Sequence, residues 1–248
     1  EHEALRIVFC PNTLKQRYLP IDEVNEISIP INDFGTRKRN EEDLNQVRNR
    51  LSHHVYDITQ FPLFTHECSR FEDSVVLHFS IDLIMLDVQS RLSLFGMIDS
   101  MYRDKINIKK KPDVTFKDYQ DYTQFLNKSN WYRKDKEYWL NKIQKMPLRP
   151  TLSLNTHPEK IDKPTFSEST MFVPAHVWEK FKYKCTSQGL SISSTLLSLY
   201  GKVISYFSSQ NEFLITVTLF NRYSFHEQIK DILGDFTSTI LFHYNNTN

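Results

Sequence analysis

The stretch Asp82-Leu-Ile-Met-Leu-Asp87-Val-Gln-Ser90 joins a predicted strand to a predicted helix. Apolar residues dominate 74–81, which predicts the strand, and recur at helical spacing over about 88–102. Asp87 stands at the N-cap position, where a carboxylate accepts a backbone N–H. Two carboxylates and a hydroxyl in such a link are costly to bury unless they are paired or hydrogen-bonded. The local interpretation is an N-cap Asp with a capping Ser and one surface Asp.

Strands and helices alternate along both halves of the chain. Further strands are predicted at 5–9, 27–31, 65–70, 167–173, 213–220 and 239–244. Further helices are predicted from Asn40 to about 51, within 119–145 as one or two helices, from Pro174 to Gly189, and from Ser191 or Ser193 to about 207. This alternation predicts the α/β class.

A stretch rich in Pro, Thr and Asn follows residue 145 and shows no periodicity. It predicts a boundary between two lobes. We place the first lobe at 1–150, a linker at 151–165 and the first part of a second lobe at 166–248. The chain starts without Met, and strand-like runs lie at both of its ends. We therefore expect an internal fragment that is truncated at both ends.

Composition argues against several classes of function. The chain has 31 Lys and Arg and 30 Asp and Glu, so its net charge is close to zero. This balance argues against a broad nucleic-acid-binding surface. Apolar runs are far shorter than the roughly 20 residues that span a bilayer, and no secretory signal opens the chain. The three cysteines, Cys10, Cys68 and Cys185, are odd in number and widely spaced. They predict buried free thiols in a reducing, cytoplasmic setting. We expect no nucleic-acid or membrane partner, no metal and no phosphate-binding loop.

The pattern Asp-x4-Asp-x2-Ser after a strand resembles the signature of heterocyclization domains of nonribosomal peptide synthetases. Membership of this condensation-domain superfamily implies a two-lobed, chloramphenicol-acetyltransferase-like fold. In ordinary condensation domains the same loop contains His-His-x3-Asp-Gly. We align the two loops on their shared Asp, which is Asp87 in this chain. Asp82 then occupies the position of the first His, and Leu83 occupies the position of the second, catalytic His. Val88 occupies the position of the Gly. Leucine has no titratable group, so this loop cannot support a His-based mechanism.

Other stretches resemble motifs of the same family, in the same order along the chain. They are His2–Arg6, Ser52–Asp57, Phe61–Phe64, Tyr138-Trp139, Met146–Leu154, Thr218–Arg222 and Gly234–Ser238. Glu1, Met146 and Ser153 depart from the family residues. One match alone is weak, but several in order make a strong case. The Thr and Asp that the family assigns to cyclodehydration are expected in motifs beyond Asn248.

The resemblance implies condensation of a carrier-bound acyl or peptidyl thioester with carrier-bound Cys, Ser or Thr. Loss of water then gives a thiazoline or an oxazoline, rings found in siderophores and peptide antibiotics. No cofactor is expected to bind directly, because 4'-phosphopantetheine arms of carrier domains present the substrates. The implied partners are upstream and downstream peptidyl carrier domains and an adjacent adenylation domain of the same synthetase.

The resemblance also suggests roles for seven residues. We expect Asp82 to contact substrate and Asp87 to organise the loop by pairing with a buried Arg such as Arg222. Ser90 is expected to cap the helix or to bond Asp87. Asn221 is a candidate donor to a substrate carbonyl. The remaining two, Asp235 and Thr237, are expected to shape a loop where the lobes meet.

Several other residues suggest chemistry but favour plain structural roles. His53-His54 before Asp57 imitates the His motif with the wrong spacing, and His at a helix end complements exposed carbonyls. His78 lies in mid-strand, where a hydrogen-bonded core His is expected. Aromatic residues over 119–139 favour packing rather than base stacking. The run Lys109–Lys111 predicts a solvated loop, which an acidic carrier domain could also use.

Three alternatives remain open at the level of sequence. A divergent condensation domain would make only the linear amide. A degenerate domain would dock carrier domains without catalysis, although the retained loop and the Asn221-Arg222 pair disfavour decay. An unrelated α/β binding protein would require several ordered motifs to be coincidence.

Overall fold

The computed structural model describes residues 2–13, 15–104, 112–162, 164, 167 and 169–246. Within these residues the strands are β1 Ile7–Cys10, β2 Lys15–Tyr18, β3 Ile31–Asp33, β4 Phe64–Arg70, β5 Val75–Ile81, β6 Glu212–Phe220 and β7 Thr237–Asn245. The helices are α1 Glu41–Ser52, α2 Val88–Asp104, α3 Phe116–Leu126, α4 Asn130–Ile143, α5 Ala175–Ser187 and α6 Ile192–Ser208. Short 3-10 turns lie at Glu3–Arg6, Ile21–Glu23, Pro158–Lys160 and Glu227–Asp231.

The chain forms two compact units. One contains Glu1–Tyr132 and Leu219–Ser238, and the other contains Arg133–Thr218 and Thr239–Asn248. Both units are discontinuous in sequence, because residues of β6 and of β7 belong to each. The lobes predicted from sequence instead divide the chain once, at 151–165, and that division stays a prediction.

In the first unit, β3, β4 and β5 form a sheet in that order, with β3 parallel and β5 antiparallel to β4. Phe64 pairs with Ile81, so β5 ends beside the start of β4. The loop that begins at Asp82 leaves the sheet there and leads into α2. The ring of Phe79 contacts that of Phe95 with centroids 5.2 Å apart, which packs α2 on β5. The strand, loop and helix predicted over 74–102 are confirmed.

Apolar side chains anchor the loop between β5 and α2. Met85 and Leu86 are 1% and 0% exposed. They belong to a core cluster with Leu63 and Leu233, and burial of two large side chains in so short a loop removes most of its freedom. The segment directly before Asp87 is therefore fixed by packing.

Three predicted strands begin elsewhere or are missing. The first starts at Ile7, because the preceding residues form a 3-10 turn. β3 starts after Pro30, which has no N–H to donate but accepts a hydrogen bond from Cys68 N–H through its carbonyl. The strand predicted at 167–173 is wrong for the part the structure describes, where Ser167 and residues 169–173 are irregular and exposed. No described strand pairs with this stretch.

The predicted helices are all present, and capping explains where they begin. Asn40 caps α1 through Asp43 N–H. The predicted aromatic region forms two helices, α3 and α4, and Thr115 opens α3 with a capping box. Ser191 rather than Ser193 caps α6. Gly189, with φ of 68°, follows α5 in the left-handed conformation that glycine adopts easily.

The three cysteines are free, but only Cys185 is buried. Cys68 is half-buried and Cys10 is exposed, so the prediction of buried thiols is wrong for Cys10. Lys109–Lys111 lie outside the described residues. Among the helices that the structure describes, none is long and apolar enough to cross a membrane.

An ion pair between the buried Glu67 and the half-exposed Arg50 attaches α1 to the sheet. Glu67 of β4 accepts hydrogen bonds from Arg50 of α1 at 2.5 and 2.6 Å and from Asn32 at 2.9 Å. The Arg50 hydrogen bonds are the main reason that the pKa of Glu67 falls from 4.5 to about 2, although burial opposes the shift. Folding therefore favours the ionised carboxylate.

This shift predicts a stability loss in acid. The folded state holds the lower pKa, so the stabilisation is complete above pH 4.5 and disappears as the pH falls from there towards 2. We expect Glu67→Gln to remove about 1–2 kcal/mol of that pH-dependent stability, less than the full shift implies because Arg50 is half-exposed. Urea unfolding between pH 2 and 7 measures this. Glu42→Gln, on the exposed face of α1, is the control; equal acid sensitivity in both variants would contradict the assignment.

Candidate functional site

The first half of the loop is a turn around Asp82. Its Oδ1 accepts a hydrogen bond from Ile84 N–H at 3.0 Å, and its backbone N–H donates to Leu63 O at 3.1 Å. The Asp82 side chain is half-buried, and the next residue, Leu83, is 62% exposed. Among the described residues Asp82 makes no ion pair. Its second carboxylate oxygen makes no hydrogen bond to any residue that the structure describes.

Asp87 has the opposite environment, with a fully buried side chain. Oδ1 accepts from Ser90 N–H at 2.6 Å, which confirms the predicted N-cap of α2. Oδ2 accepts from Phe236 N–H at 3.2 Å. The predicted pairing with Arg222 is also confirmed, with Nη2 lying 3.6 Å from Oδ1. Asp87 is thus surrounded by donors that belong to the protein itself.

The hydroxyl of Ser90 connects three segments. It donates to Gly234 O at 2.7 Å and accepts from Gly234 N–H at 3.1 Å and from Arg222 Nη2 at 2.7 Å. Ser90 does bond Asp87, as predicted, but through its backbone N–H. The hydroxyl itself joins α2 to residues more than a hundred positions away in sequence.

Arg222 lies almost completely inside this cluster. Its Nη1 donates to Ile232 O at 2.7 Å and to Ile229 O at 3.2 Å, and its guanidinium carbon lies 4.0 Å from the centre of the Phe236 ring. Burial lowers the pKa of the Arg222 guanidinium, while the Asp87 carboxylate opposes that shift. The cation therefore depends on Asp87 and on these carbonyls to offset its lost hydration.

Gly234 is required by the close packing behind it. A Cβ at this position would lie 2.6 Å from Cδ2 of Phe116, which itself contacts the Phe236 ring edge-on at 5.0 Å. Any side chain here would displace that ring or pull Gly234 away from Ser90. Gly234 had no predicted role of its own, although it opens the motif Gly234–Ser238.

Three other predicted residues lie close in sequence to Arg222 and Gly234 and are exposed. They are Asn221, Asp235 and Thr237. The backbone of Asn221 is held, since its N–H donates to Phe236 O at 3.2 Å and its carbonyl accepts from the Tyr119 hydroxyl at 2.5 Å. Asp235 accepts from Thr237 N–H at 2.9 Å. The structure thus brings Asp87, Ser90 and Arg222 into one buried cluster and leaves the other predicted residues accessible.

His53 and His78 have the structural roles that were predicted for them. His53 Nδ1 bonds Asn49 O at 2.7 Å at the end of α1. Buried His78 bonds Ser69 Oγ at 2.9 Å, and burial lowers its pKa. The Tyr119 ring packs as predicted, but Trp131 is 79% exposed, so packing does not explain the whole aromatic set. No group of His, Cys, Asp and Glu among the described residues is arranged to hold a metal.

We expect Ser90 and Ser100, both on α2, to contribute differently to the free energy of unfolding. Ser90→Ala leaves Gly234 N–H and an Arg222 donor unpaired inside the protein, so we expect a loss of about 2–3 kcal/mol in the free energy of unfolding. Ser100→Ala removes only an exposed bond to Gly96 O, and we expect a change within about 0.5 kcal/mol. Urea unfolding compares the two. Equal losses would mean that the Ser90 hydroxyl is not needed to hold the cluster.

Known proteins similar to this chain include members of the family that the sequence motifs resemble. A family model described as the condensation domain matches residues 1–246. Bacitracin synthase 1 of Bacillus licheniformis is 29% identical over 206 residues, which are 81% of this chain and 4% of that protein. Pyochelin synthetase PchF of Pseudomonas aeruginosa is 29% identical over 204 residues, which are 80% of this chain and 11% of that protein.

A solved structure shares the fold closely. The EpoB NRPS cyclization-docking bidomain of Sorangium cellulosum superposes with a TM-score of 0.88 at 27% identity, covering 99% of this chain and 49% of that one. The chain therefore spans about half of that structure and a small part of the two synthetases. The agreement confirms the predicted α/β, chloramphenicol-acetyltransferase-like fold. With the family match over residues 1–246, it shows that this chain belongs to the condensation domain family of nonribosomal peptide synthetases.

Proposed function

We propose that the domain condenses a carrier-bound acyl or peptidyl thioester with carrier-bound Cys, Ser or Thr and cyclodehydrates the product to a thiazoline or an oxazoline. The observation that carries this proposal is the loop of residues 82–90. Leu83 stands, exposed, where ordinary family members have the catalytic His, and a carboxylate stands at Asp82 beside it. The similar solved structure is itself a cyclization-docking bidomain, which supports the same reaction class.

The two aspartates have different tasks in this proposal. Asp87 is buried and accepts hydrogen bonds from two backbone N–H groups beside Arg222, so it holds the loop in place. Asp82 is half-buried, accepts a single side-chain hydrogen bond among the described residues, and is the group in this loop that we propose to exchange protons with substrate. Asp82 is therefore our candidate catalytic residue.

The reaction has two steps that balance in atoms. In the first, the amine of the acceptor attacks the donor thioester, the donor thiol leaves and a proton moves from nitrogen to sulfur. In the second, the acceptor side-chain thiol or hydroxyl attacks the new amide carbonyl, and that oxygen leaves as water with the N–H proton and the side-chain proton. A carboxylate at Asp82 can accept the proton of the attacking group and return it to the departing oxygen.

Other residues of the site support these steps. In this proposal the exposed carboxamide of Asn221 donates a hydrogen bond to the amide carbonyl and so stabilises the negative charge that develops there. Ser90 and Arg222 hold the loop against the Gly234 segment. Asp235 and Thr237 form an exposed turn that shapes the edge of the site.

The proposal extends to partners and location. No cofactor would bind directly, and both substrates would arrive on 4'-phosphopantetheine arms. Upstream and downstream peptidyl carrier domains and an adenylation domain of the same synthetase would be the partners. Holding both arms at one site supplies much of the rate, because a bimolecular reaction becomes effectively intramolecular. The three free cysteines favour a cytoplasmic location.

The complete domain within its parent protein tests the reaction. We would supply a donor carrier loaded with an acyl group and an acceptor carrier loaded with cysteine, and read the acceptor-bound product by intact mass. We expect a product one water lighter than the linear amide. A stable linear amide would place the domain among ordinary condensation domains. No product from loaded carriers with cysteine, serine or threonine would favour a docking scaffold.

Two variants test Asp82. Asp82→Asn keeps an acceptor for Ile84 N–H but removes the charge, and Asp82→Ala removes both. If the charge is needed, both variants lose at least 100-fold in the rate of ring formation, as expected for loss of a proton-transfer group. Asp57 is a matched control, because its Oδ1 accepts from Thr59 N–H two residues on, at 2.9 Å, as Asp82 does from Ile84. A fully active Asp82→Ala, or equal losses in Asp57→Asn, would refute the assignment.

A further inference from the structure

Tyr119 contacts the segment that carries Asn221, although the sequence assigned it only to packing. It lies on α3, is 8% exposed and donates a 2.5 Å hydrogen bond to the Asn221 carbonyl. Burial raises the pKa of the Tyr119 phenol, and a hydrogen bond from the Tyr223 backbone opposes the shift. The hydroxyl therefore restrains the backbone at the residue directly before Arg222.

The ring of Tyr119 contacts the opposite segment of the site. It meets the Phe236 ring edge-on with centroids 4.7 Å apart. Phe236 in turn accepts from Asn221 N–H through its carbonyl and donates its own N–H to Asp87. Both peptide groups that flank the Asn221 Cα are thus restrained, one by Tyr119 and the other by Phe236, while the Asn221 side chain stays exposed.

We propose that Tyr119 is a positioning residue for ring formation, because it fixes the backbone from which the Asn221 carboxamide reaches the amide carbonyl of the intermediate. The inference rests on the proposed function. Tyr119 touches no substrate and acts through Asn221. Its ring holds the Phe236 side of the site, and its hydroxyl holds the Asn221 side.

The ring-forming step should depend on this restraint more than the condensation step does. An amide carbonyl is a poorer electrophile than a thioester carbonyl, so the second attack needs a hydrogen-bond donor in a fixed place. A donor displaced by about 1 Å loses much of its effect. Loss of the Tyr119 hydroxyl should therefore change the ratio of ring to linear amide rather than the total amount of amide.

Tyr119→Phe removes the hydroxyl and keeps the ring. Tyr122→Phe is the matched control: it lies on the same helix and stacks on Phe225 with centroids 4.7 Å apart, and among the described residues its hydroxyl makes no hydrogen bond. With cysteine-loaded acceptor in the parent protein, we expect Tyr119→Phe to lower the ring-to-linear ratio about tenfold. KM for the loaded acceptor should stay unchanged, and Tyr122→Phe should behave as wild type.

A double variant separates positioning from simple destabilisation. If Tyr119 acts through Asn221, adding Tyr119→Phe to Asn221→Ala causes no further loss of ring formation. Equal slowing of both steps, a full extra loss in the double variant, or normal cyclization by Asn221→Ala would each overturn the inference. A wild-type protein that makes only the linear amide would instead refute the proposed function, and the inference with it.

Discussion

The buried pair of Asp87 and Arg222 is the interaction on which the rest of the site depends. Each charge has lost most of its hydration, so each needs the other and the hydrogen bonds around them. Ser90 completes the arrangement because its hydroxyl contacts both Arg222 and Gly234. These contacts join the start of α2 to Arg222 and Gly234, which lie 132 and 144 positions further along the chain, so local sequence alone does not hold the loop.

Burial divides the loop into two parts with different properties. The half that contains Met85, Leu86 and Asp87 is inaccessible to solvent and closely packed. The half that contains Asp82 and Leu83 is a short turn with one side-chain hydrogen bond to its own backbone. A rigid base therefore presents a small accessible segment, which is the arrangement that places a reactive group reproducibly without burying it.

The sequence predicted features that depend on local patterns and missed those that depend on distant packing. The N-cap at Asp87 follows from the order strand, Asp, helix, whereas the pairing with Arg222 was an expectation that the family resemblance suggested. Ser90 bonds Asp87 as predicted, but the bonds of its hydroxyl to Gly234 were missed, because no side-chain pattern encodes a backbone partner. The predicted strand that is absent from the described part of 167–173 has a similar cause, since a strand needs a neighbour to pair with, and its own residues do not supply one.

The exposure of Leu83 has a consequence for how such domains diversify. Nothing in the described structure relies on this side chain for stability, and Asp82 contributes only a local turn. Substitutions at these two positions can accumulate without unfolding the domain, because the anchors of the loop lie elsewhere. Under the proposed function, a few substitutions in this loop would therefore exchange one reaction for another on an unchanged framework.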